Sequence, residues 1–261
     1  MRISTSFPES STVRALASVY SWAGTIGLIL FFTPVIGLSR LFDRDPVRYR
    51  TGRLLRILGS CITRVNPAWS VTIDGYQVEN PKHPYVVVSN HLSNADVPVI
   101  SRLPWDMKWI AKEGLFKMPI VGWVMTWAGD IPVNRRDKRS GVLALQKARW
   151  YLERNSSVMF FPEGTRSRTG QLQRFKDGAF TVAIKAGVPI LPMVVDGTQD
   201  CLPKNDWKFG AAPNIRLRIL PPVETTGLTA EDVPELKERV RSLIAATLAD
   251  WRGVPAAEVG A

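Results

Sequence analysis

A histidine and an aspartate stand five positions apart in the run NHLSNAD (90–96), directly after the apolar stretch YVVVS (85–89). His91 is one of only two histidines in the chain. Five residues turn an ideal helix by about 140° net, so the two side chains meet only if a strand-to-helix turn bends the chain back. If they meet, Asp96 fixes the imidazole tautomer and stabilises the imidazolium while the other ring nitrogen takes a proton. The pair is a candidate general base, and the alternative is a capping aspartate beside a structural histidine.

A loop rich in hydrogen-bond donors follows a second apolar segment. The run FFPEGTRSR (160–168) comes at the end of a predicted strand and contains Gly164, Thr165 and Arg166. Backbone N–H groups, a hydroxyl and planar guanidinium groups suit a phosphate. The loop lacks the Gly-Lys-Ser/Thr ending of a P-loop. The alternative is a solvated turn with ordinary surface charges.

Two further segments accompany these loops. In GDIPVNRR (129–136) a short predicted strand leads into Arg135 and Arg136, which either clamp a phosphate or are simply exposed. The run VPILPM (188–193) is an apolar strand marked by two prolines, and it is either structural or the lining of an acyl channel. The chain has no Gly-x-Ser-x-Gly elbow, so a serine acyl-enzyme is not expected.

The charge of the chain is strongly basic. The net charge is +11, and seven arginines between positions 40 and 64 face only two acids. Such a chain binds polyanions, which include nucleic acid, an anionic membrane surface and phosphorylated substrates. Composition alone does not choose among them. With two cysteines and two histidines, neither a disulfide framework nor a structural zinc site is expected.

An uncharged apolar run extends from Ala15 to Ser39. It is long enough to cross a bilayer, which takes about 20 apolar residues. A cleaved signal peptide is disfavoured because no cleavage site precedes a polar start. A single transmembrane helix, a helical hairpin or re-entrant anchor, and a buried core helix remain as alternatives, since glycines and Pro34 interrupt the run. The arginines that follow favour the cytoplasmic face of a membrane, the inner membrane if the source is bacterial.

The rest of the chain alternates between predicted strands and helices. Strands are predicted at Val71–Ile73, Tyr85–Ser89, Lys108–Ala111, Ile131–Val133, Val158–Phe161, Ile190–Val195 and Ile215–Leu220. Helices are predicted within Asn94–Arg102, over Leu115–Trp127, from a capping Ser140 to about Arg154 with Val142, Leu145 and Ala148 on one side, over Ala179–Ala186, and after a capping Thr229 with a stripe of Leu236, Val240, Leu243, Ile244 and Leu248.

This pattern indicates an α/β fold with a mixed, largely parallel sheet flanked by helices. The apolar run adds an N-terminal membrane-anchoring helix or helical hairpin. We expect two parts, an N-terminal membrane anchor with a basic amphipathic segment over residues 1–66 and an α/β domain over residues 67–261.

The order NHLSNAD, GDIPVNR, FPEGTRS and VPILPMVV resembles the four-motif glycerolipid acyltransferase family, and in particular its lysophosphatidic acid acyltransferases. The resemblance covers about residues 70–200. It implies that His91 and Asp96 are the catalytic pair and that Arg135 binds the acceptor phosphate. It further implies substrate-binding roles for Lys112, Glu163, Gly164, Thr165 and Arg166.

One part of the second motif departs from the family pattern. Pro132 and Asn134 stand where an aromatic or aliphatic residue and an acid are usual, a departure that bears on acceptor identity rather than on the chemistry. Pro192 falls in the fourth motif.

The resemblance implies a function in phospholipid biosynthesis. A fatty acyl group moves from acyl-CoA or acyl carrier protein to the free hydroxyl of lysophosphatidic acid, giving phosphatidic acid without a covalent acyl-enzyme. No cofactor or metal is expected, and the partners are the lysophospholipid acceptor, the thioester donor and an anionic membrane surface, with no nucleic acid. The alternatives are another acceptor, such as glycerol-3-phosphate or another lysolipid, and a non-catalytic basic protein that binds lipid or nucleic acid.

Overall fold

A seven-stranded sheet forms the centre of the computed structural model, which describes residues 11–66, 69–201, 207–210 and 214–260. The strands are β1 (Ser70–Gly75), β2 (Val86–Ser89), β3 (Met107–Lys112), β4 (Ile131–Val133), β5 (Ser157–Phe160), β6 (Ile190–Asp196) and β7 (Asn214–Ile219). Their order across the sheet is β1-β7-β6-β2-β5-β3-β4. Every neighbouring pair is parallel except β6 with β7. The predicted mixed, largely parallel sheet is confirmed.

Helices cover the sheet and extend from it. They are α1 (Ser11–Phe42), α2 (Tyr49–Val65), α3 (Asp96–Ile100), α4 (Glu113–Phe116), α5 (Val121–Ala128), α6 (Lys138–Leu152), α7 (Gly178–Ala186), α8 (Val233–Arg252) and α9 (Ala256–Val259). Alternate residues of β2 belong to different apolar cores, because side chains of a strand point to opposite faces. Val86 and Val88 pack in the core that α6, α7 and α8 share, whereas Val87 packs in the core that contains α3.

The apolar N-terminal run forms one continuous helix of 32 residues that passes through Pro34. It pairs with α2 and α5 around Ile36, Leu58 and Val124. Only 6% of its most apolar 18-residue window is buried. The alternative of a buried core helix is therefore wrong, and the chain does not turn back inside the run. By length and composition α1 is sufficient to cross a membrane.

Two helix predictions need correction. The predicted helix over Leu115–Trp127 is divided between α4 and α5, because Pro119 lacks an N–H group and disfavours helical backbone in the residue before it. Ser140 does not cap α6. Asp137 takes that position and accepts a hydrogen bond from the Arg139 N–H at 2.9 Å, while Ser140 Oγ accepts one from the Asn134 N–H at 2.9 Å.

The predicted apolar stripes are partly correct. In α6 the buried side is formed by Ala144 and Ala148, and Val142 is 55% exposed. In α8 the stripe is buried apart from Leu243, which is 40% exposed. Thr229 caps a short 3₁₀ turn that leads into α8 rather than α8 itself.

Buried charges fasten α2 to the sheet. The Arg56 guanidinium donates to both carboxylate oxygens of Asp130 at 2.8 and 2.7 Å, and its Nε lies 3.6 Å from Asp106 Oδ1. Lys108 Nζ lies 2.5 Å from Asp106 Oδ2 and donates to the Ala128 carbonyl at 2.8 Å. Buried charges are tolerated only when they are paired, so this network joins α2 firmly to β3 and to the start of β4. The division of the chain between residues 66 and 67 stays a prediction.

Candidate active site

The carboxyl ends of four adjacent parallel strands place the predicted site residues along one edge of the sheet. His91 follows β2, Glu163 follows β5, Lys112 ends β3 and Arg135 follows β4. Loops at the carboxyl ends of parallel strands form the usual ligand crevice of α/β folds. The fold therefore collects at one edge residues that lie up to 72 positions apart in sequence.

The turn between β2 and α3 bends the chain back as the sequence requires. Asp96 Oδ2 lies 2.7 Å from His91 Nδ1, and it accepts hydrogen bonds from the backbone N–H groups of Leu92 at 2.8 Å and Ser93 at 3.0 Å. An ionised carboxylate only accepts hydrogen bonds, so Nδ1 carries the hydrogen. His91 Nε2 is then the unprotonated nitrogen, which is the arrangement that a general base needs.

Thr198 completes the surroundings of Asp96. Its hydroxyl donates to Asp96 Oδ1, and both side chains are fully buried. Sequence reasoning did not identify Thr198, which is 102 positions away from Asp96. The strand order would have pointed to Thr198, because this residue follows β6, the strand beside β2.

An aromatic ring packs flat against the histidine. The ring centroids of His91 and Phe161 are 3.9 Å apart with an interplanar angle of 15°, and the Trp109 ring contacts Phe161 with centroids 5.8 Å apart. The His91 side chain is only 9% exposed. The stack limits rotation of the imidazole, so Phe161 orients His91, a contact that sequence reasoning did not identify.

The Glu163 carboxylate accepts hydrogen bonds from the turn after β2 and from its own loop after β5. Its Oε1 accepts a hydrogen bond from the His91 N–H at 2.7 Å, and its Oε2 accepts one from the Gln173 N–H at 3.2 Å. Burial raises the pKa of Glu163 to about 7. The His91 carbonyl in turn accepts from the Ser167 N–H at 2.8 Å. The loop after β5 is thus hydrogen-bonded to the turn between β2 and α3 through both the N–H and the carbonyl of His91.

A cavity of about 470 Å³ opens beside this loop. Basic side chains lie around it, and its floor is apolar. Its lining includes Arg135, Arg136, Lys176, Gly164, Leu145 and Phe160. Burial and repulsion from the Arg166 guanidinium lower the pKa of Arg135. The cavity suits an anion attached to an apolar or neutral group.

The predicted substrate-binding residues do not all lie in this cavity. Arg135 and Gly164 line it, whereas Arg166 is not part of its lining but acts electrostatically on Arg135. Thr165 and Lys112 are exposed at its side of the sheet and are not part of its lining, while Glu163 is buried. The binding roles that the resemblance implies for these residues stay predictions.

A second cavity of about 340 Å³ lies between α2, α5 and the turn that follows His91. Its lining is mainly aliphatic and includes Leu58, Ile62, Val97, Val124 and Met125. Part of the apolar stretch over residues 118–127 therefore lines this cavity. Trp123 does not, because it is 53% exposed.

The described residues include no cluster of three or more histidine, cysteine or acidic side chains that would suit a metal ion. The expectation that no cofactor is needed stays a prediction. Cys61 and Cys201 are both free thiols.

A protein-family model and several known proteins are similar to this chain in sequence. The family model described as Acyltransferase matches residues 70–196. The chain is 35% identical over 224 residues to the chloroplastic 1-acyl-sn-glycerol-3-phosphate acyltransferase LPAT1 of Arabidopsis thaliana, covering 84% of this chain and 62% of that protein. It is 35% identical over 199 residues to 1-acyl-sn-glycerol-3-phosphate acyltransferase alpha of Homo sapiens, covering 75% and 70% of the two chains.

A solved structure is similar over nearly the whole chain. The crystal structure of the 1-acyl-sn-glycerophosphate (LPA) acyltransferase PlsC from Thermotoga maritima aligns with a TM-score of 0.78 and 26% sequence identity. The alignment covers 93% of this chain and 97% of that one. By contrast, the chain spans about three fifths of the length of two chloroplastic relatives that it matches.

Proposed function

The chain belongs to the acyltransferase family, and from that premise we propose that it moves a fatty acyl group from a thioester donor to the free hydroxyl of lysophosphatidic acid, giving phosphatidic acid. The observation that carries the proposal is the buried His91–Asp96 pair, 2.7 Å apart, beside a cavity lined with basic side chains. The relatives named as 1-acyl-sn-glycerol-3-phosphate acyltransferases support the same reaction.

His91 is the general base of the proposed reaction. The acceptor hydroxyl lies against Nε2, and its proton moves to that nitrogen as the oxygen attacks the thioester carbonyl. A carbon–oxygen bond forms and the carbon–sulfur bond breaks, and the imidazolium then protonates the departing thiolate. Asp96 stabilises the imidazolium through Nδ1. General-base assistance of this kind contributes about 10²–10⁴ in rate.

The two cavities bind different parts of the substrates, the acceptor phosphate in one and the acyl chain in the other. Arg135 and Arg166 bind the acceptor phosphate, which places the hydroxyl beside the base and lowers the entropic part of the barrier. The aliphatic cavity of about 340 Å³ begins at the turn after His91 and holds the first part of the acyl chain. The donor is acyl-CoA or acyl carrier protein.

The exposed apolar side of α1 supports work at a membrane. Leu16, Ile26, Leu30, Phe31 and Leu38 are each more than half exposed. Exposure of a row of large apolar side chains to water is unfavourable, and contact with lipid removes this free-energy cost. We place the protein on the cytoplasmic face, with the basic residues after α1 against anionic headgroups.

The test is an acylation assay with the purified protein in mixed micelles. Labelled acyl-CoA or acyl carrier protein is offered with lysophosphatidic acid, glycerol-3-phosphate or a lysolipid with a larger headgroup. We expect acylation of lysophosphatidic acid, and we expect His91→Ala to lower kcat by about 10²–10⁴. The matched control is His83→Ala, which changes the chain's other, exposed histidine.

Three outcomes would contradict the proposal. Wild-type turnover by His91→Ala would show that another group is the base. Preference for glycerol-3-phosphate would assign a different acceptor. Salt-sensitive binding to duplex DNA without any lipid turnover would favour the nucleic-acid-binding alternative.

A further inference from the structure

The side chain of Lys176 lies directly across Gly164. A Cβ atom built on Gly164 would fall 2.7 Å from Lys176 Nζ and 2.9 Å from its Cε, so any other residue at position 164 would push the lysine away. Gly164 also has φ of +74°, a conformation that residues with a Cβ rarely adopt. A glycine at position 164 therefore allows the positive φ of the loop and leaves room for the Lys176 ammonium group.

The backbone of Lys176 is held by a hydrogen bond, and its side chain is exposed. Its N–H donates to the Pro162 carbonyl at 2.9 Å. Asp177, the adjacent acid, is engaged with Lys237 Nζ at 2.6 Å. Over the described parts of the chain, no carboxylate forms an ion pair with Lys176.

Lys176 shares a cavity with two guanidinium groups. Arg135 and Arg136 line the same space of about 470 Å³, together with Lys138 and one acid, Asp137, whose side chain caps α6. The Arg166 guanidinium is near enough to lower the pKa of Arg135, after the larger effect of burial. Like charges held near one another repel, and an anion bound between them reverses the sign of that interaction. The cavity therefore suits a ligand with more than one negative charge.

We propose that Lys176 is a further cationic ligand of the acceptor phosphate and that it makes the site favour phosphate monoesters over phosphate diesters. The inference rests on the proposed function. A phosphate monoester carries a charge of about −1.5 to −2 at pH 7, whereas a diester carries only one negative charge. Each added cation in the site therefore favours lysophosphatidic acid over a lysolipid whose phosphate bears a second ester.

The experiment compares Lys176→Met, Lys176→Arg and the wild type with two acceptors, lysophosphatidic acid and lysophosphatidylglycerol. Methionine keeps most of the length of the lysine and removes its charge. The matched control is Lys185→Met, an exposed lysine in the last turn of α7, remote from the cavity lining. KM for acceptor, KM for donor and kcat are measured for each pair, with a thermal melt to verify folding.

We expect Lys176→Met to raise the KM for lysophosphatidic acid about tenfold and to leave the donor KM within about twofold. Its preference for the monoester, measured as a ratio of kcat/KM values, should fall by a similar factor. Lys176→Arg should restore most of both, and Lys185→Met should resemble the wild type.

Two results would overturn the inference in distinguishable ways. If the wild type acylates lysophosphatidic acid and Lys176→Met retains the same acceptor KM and the same preference, Lys176 is not a phosphate ligand and the proposed function survives. If the wild type acylates neither acceptor, the proposed function fails and the inference fails with it.

Discussion

Four hydrogen bonds converge on the carboxylate of Asp96. They come from His91 Nδ1, from the N–H groups of Leu92 and Ser93, and from the Thr198 hydroxyl. Because three of the donors belong to its own turn, the carboxylate holds the shape of the turn as well as the orientation of the imidazole. One side chain thus performs a structural and a chemical role.

Glu163 makes the stability of the fold depend on pH. Burial raises its pKa from the ordinary 4.5 to about 7, so the folded protein binds a proton there more tightly than the unfolded chain does. The stability that this group contributes is complete below about pH 4.5 and is lost as the pH rises to about 7. Glu163→Gln cannot ionise, so we expect its melting temperature to decline less than that of the wild type across this range.

Melting curves at a series of pH values between 4.5 and 8 measure this difference, with Glu238→Gln, whose side chain is 62% exposed, as the matched control. Parallel profiles for the wild type and Glu163→Gln would show that a different group titrates. The same substitution should also reduce turnover, because an amide oxygen can accept from only one of the two N–H groups that Glu163 now satisfies.

The sequence identified His91 and Asp96, and the structure brings them together. Their spacing allowed the two side chains to meet within one turn, and the resemblance to the four-motif family identified them as a candidate catalytic pair. Thr198 and Phe161 were missed because their contacts with Asp96 and His91 depend on which strands are neighbours in the sheet. Gln173 was missed because its contact with Glu163 depends on how the loop after β5 folds. Strand order is set by long-range packing, which residue spacing does not record.

Secondary-structure elements were predicted best where burial is complete. The central strands are continuous apolar runs, as parallel strands with both faces covered must be, and their predicted positions match to within about two residues. Helix ends were harder to predict, because Asp137 and Ser140 are both good caps and only the observed hydrogen bonds distinguish them. The interruption between α4 and α5 was readable from Pro119, although the apolar pattern obscured it.

The position of α2 depends on Arg56, and replacing Arg56 should lower the free energy of unfolding. Arg56→Met leaves Asp106 and Asp130 with Lys108 as their one remaining cation in this network. Loss of one partner of a buried ion pair costs about 3–5 kcal/mol. We expect a comparable loss in the free energy of unfolding, measured by denaturant titration.

The control for this change is Arg50→Met, one turn and a half earlier on α2 at an exposed position. It should alter the free energy of unfolding by less than about 0.5 kcal/mol. Adding Asp130→Asn to Arg56→Met should recover part of the lost stability, because the unpaired charge is then removed. Equal stability of Arg56→Met and the wild type would contradict the role given to this network.

The whole molecule holds α1 along most of its length. Near its start, the Phe209 N–H donates to Ser18 Oγ at 2.9 Å and Trp22 Nε1 donates to the Trp207 carbonyl at 2.8 Å. Near its end, Gly37 lies against Trp127, whose ring would be 3.3 Å from an added Cβ. Helical rise separates Ser18 from Gly37 by about 28 Å, close to the thickness of a bilayer core.

This geometry argues against α1 crossing a membrane while the rest of the protein stays in water. Crossing would pull residues 207–209 and α5 toward opposite surfaces of the bilayer. We therefore expect α1 to lie along one membrane surface with its exposed apolar side in lipid. Both ends of the helix should then be reachable from the same side.

Cysteine labelling tests that topology. Val13→Cys and Phe42→Cys, at positions that are 47% and 77% exposed, are each introduced with Cys61→Ser, while the buried Cys201 is retained. In sealed vesicles a membrane-impermeant maleimide should label both positions from the same side. Labelling from opposite sides would show that α1 spans the bilayer.

The contacts that hold the start of α1 also impose an order on biogenesis. Residues 14–22 are bound by residues 207–209, which lie 185 to 195 positions later in the chain. At about 5–20 residues per second, a ribosome needs roughly 10–40 s to deliver that partner segment. During that interval α2 can already pack against the end of α1, but the start of α1 still lacks the segment that binds it. The apolar start of α1 is therefore open to lipid or a chaperone until residues 207–209 are made.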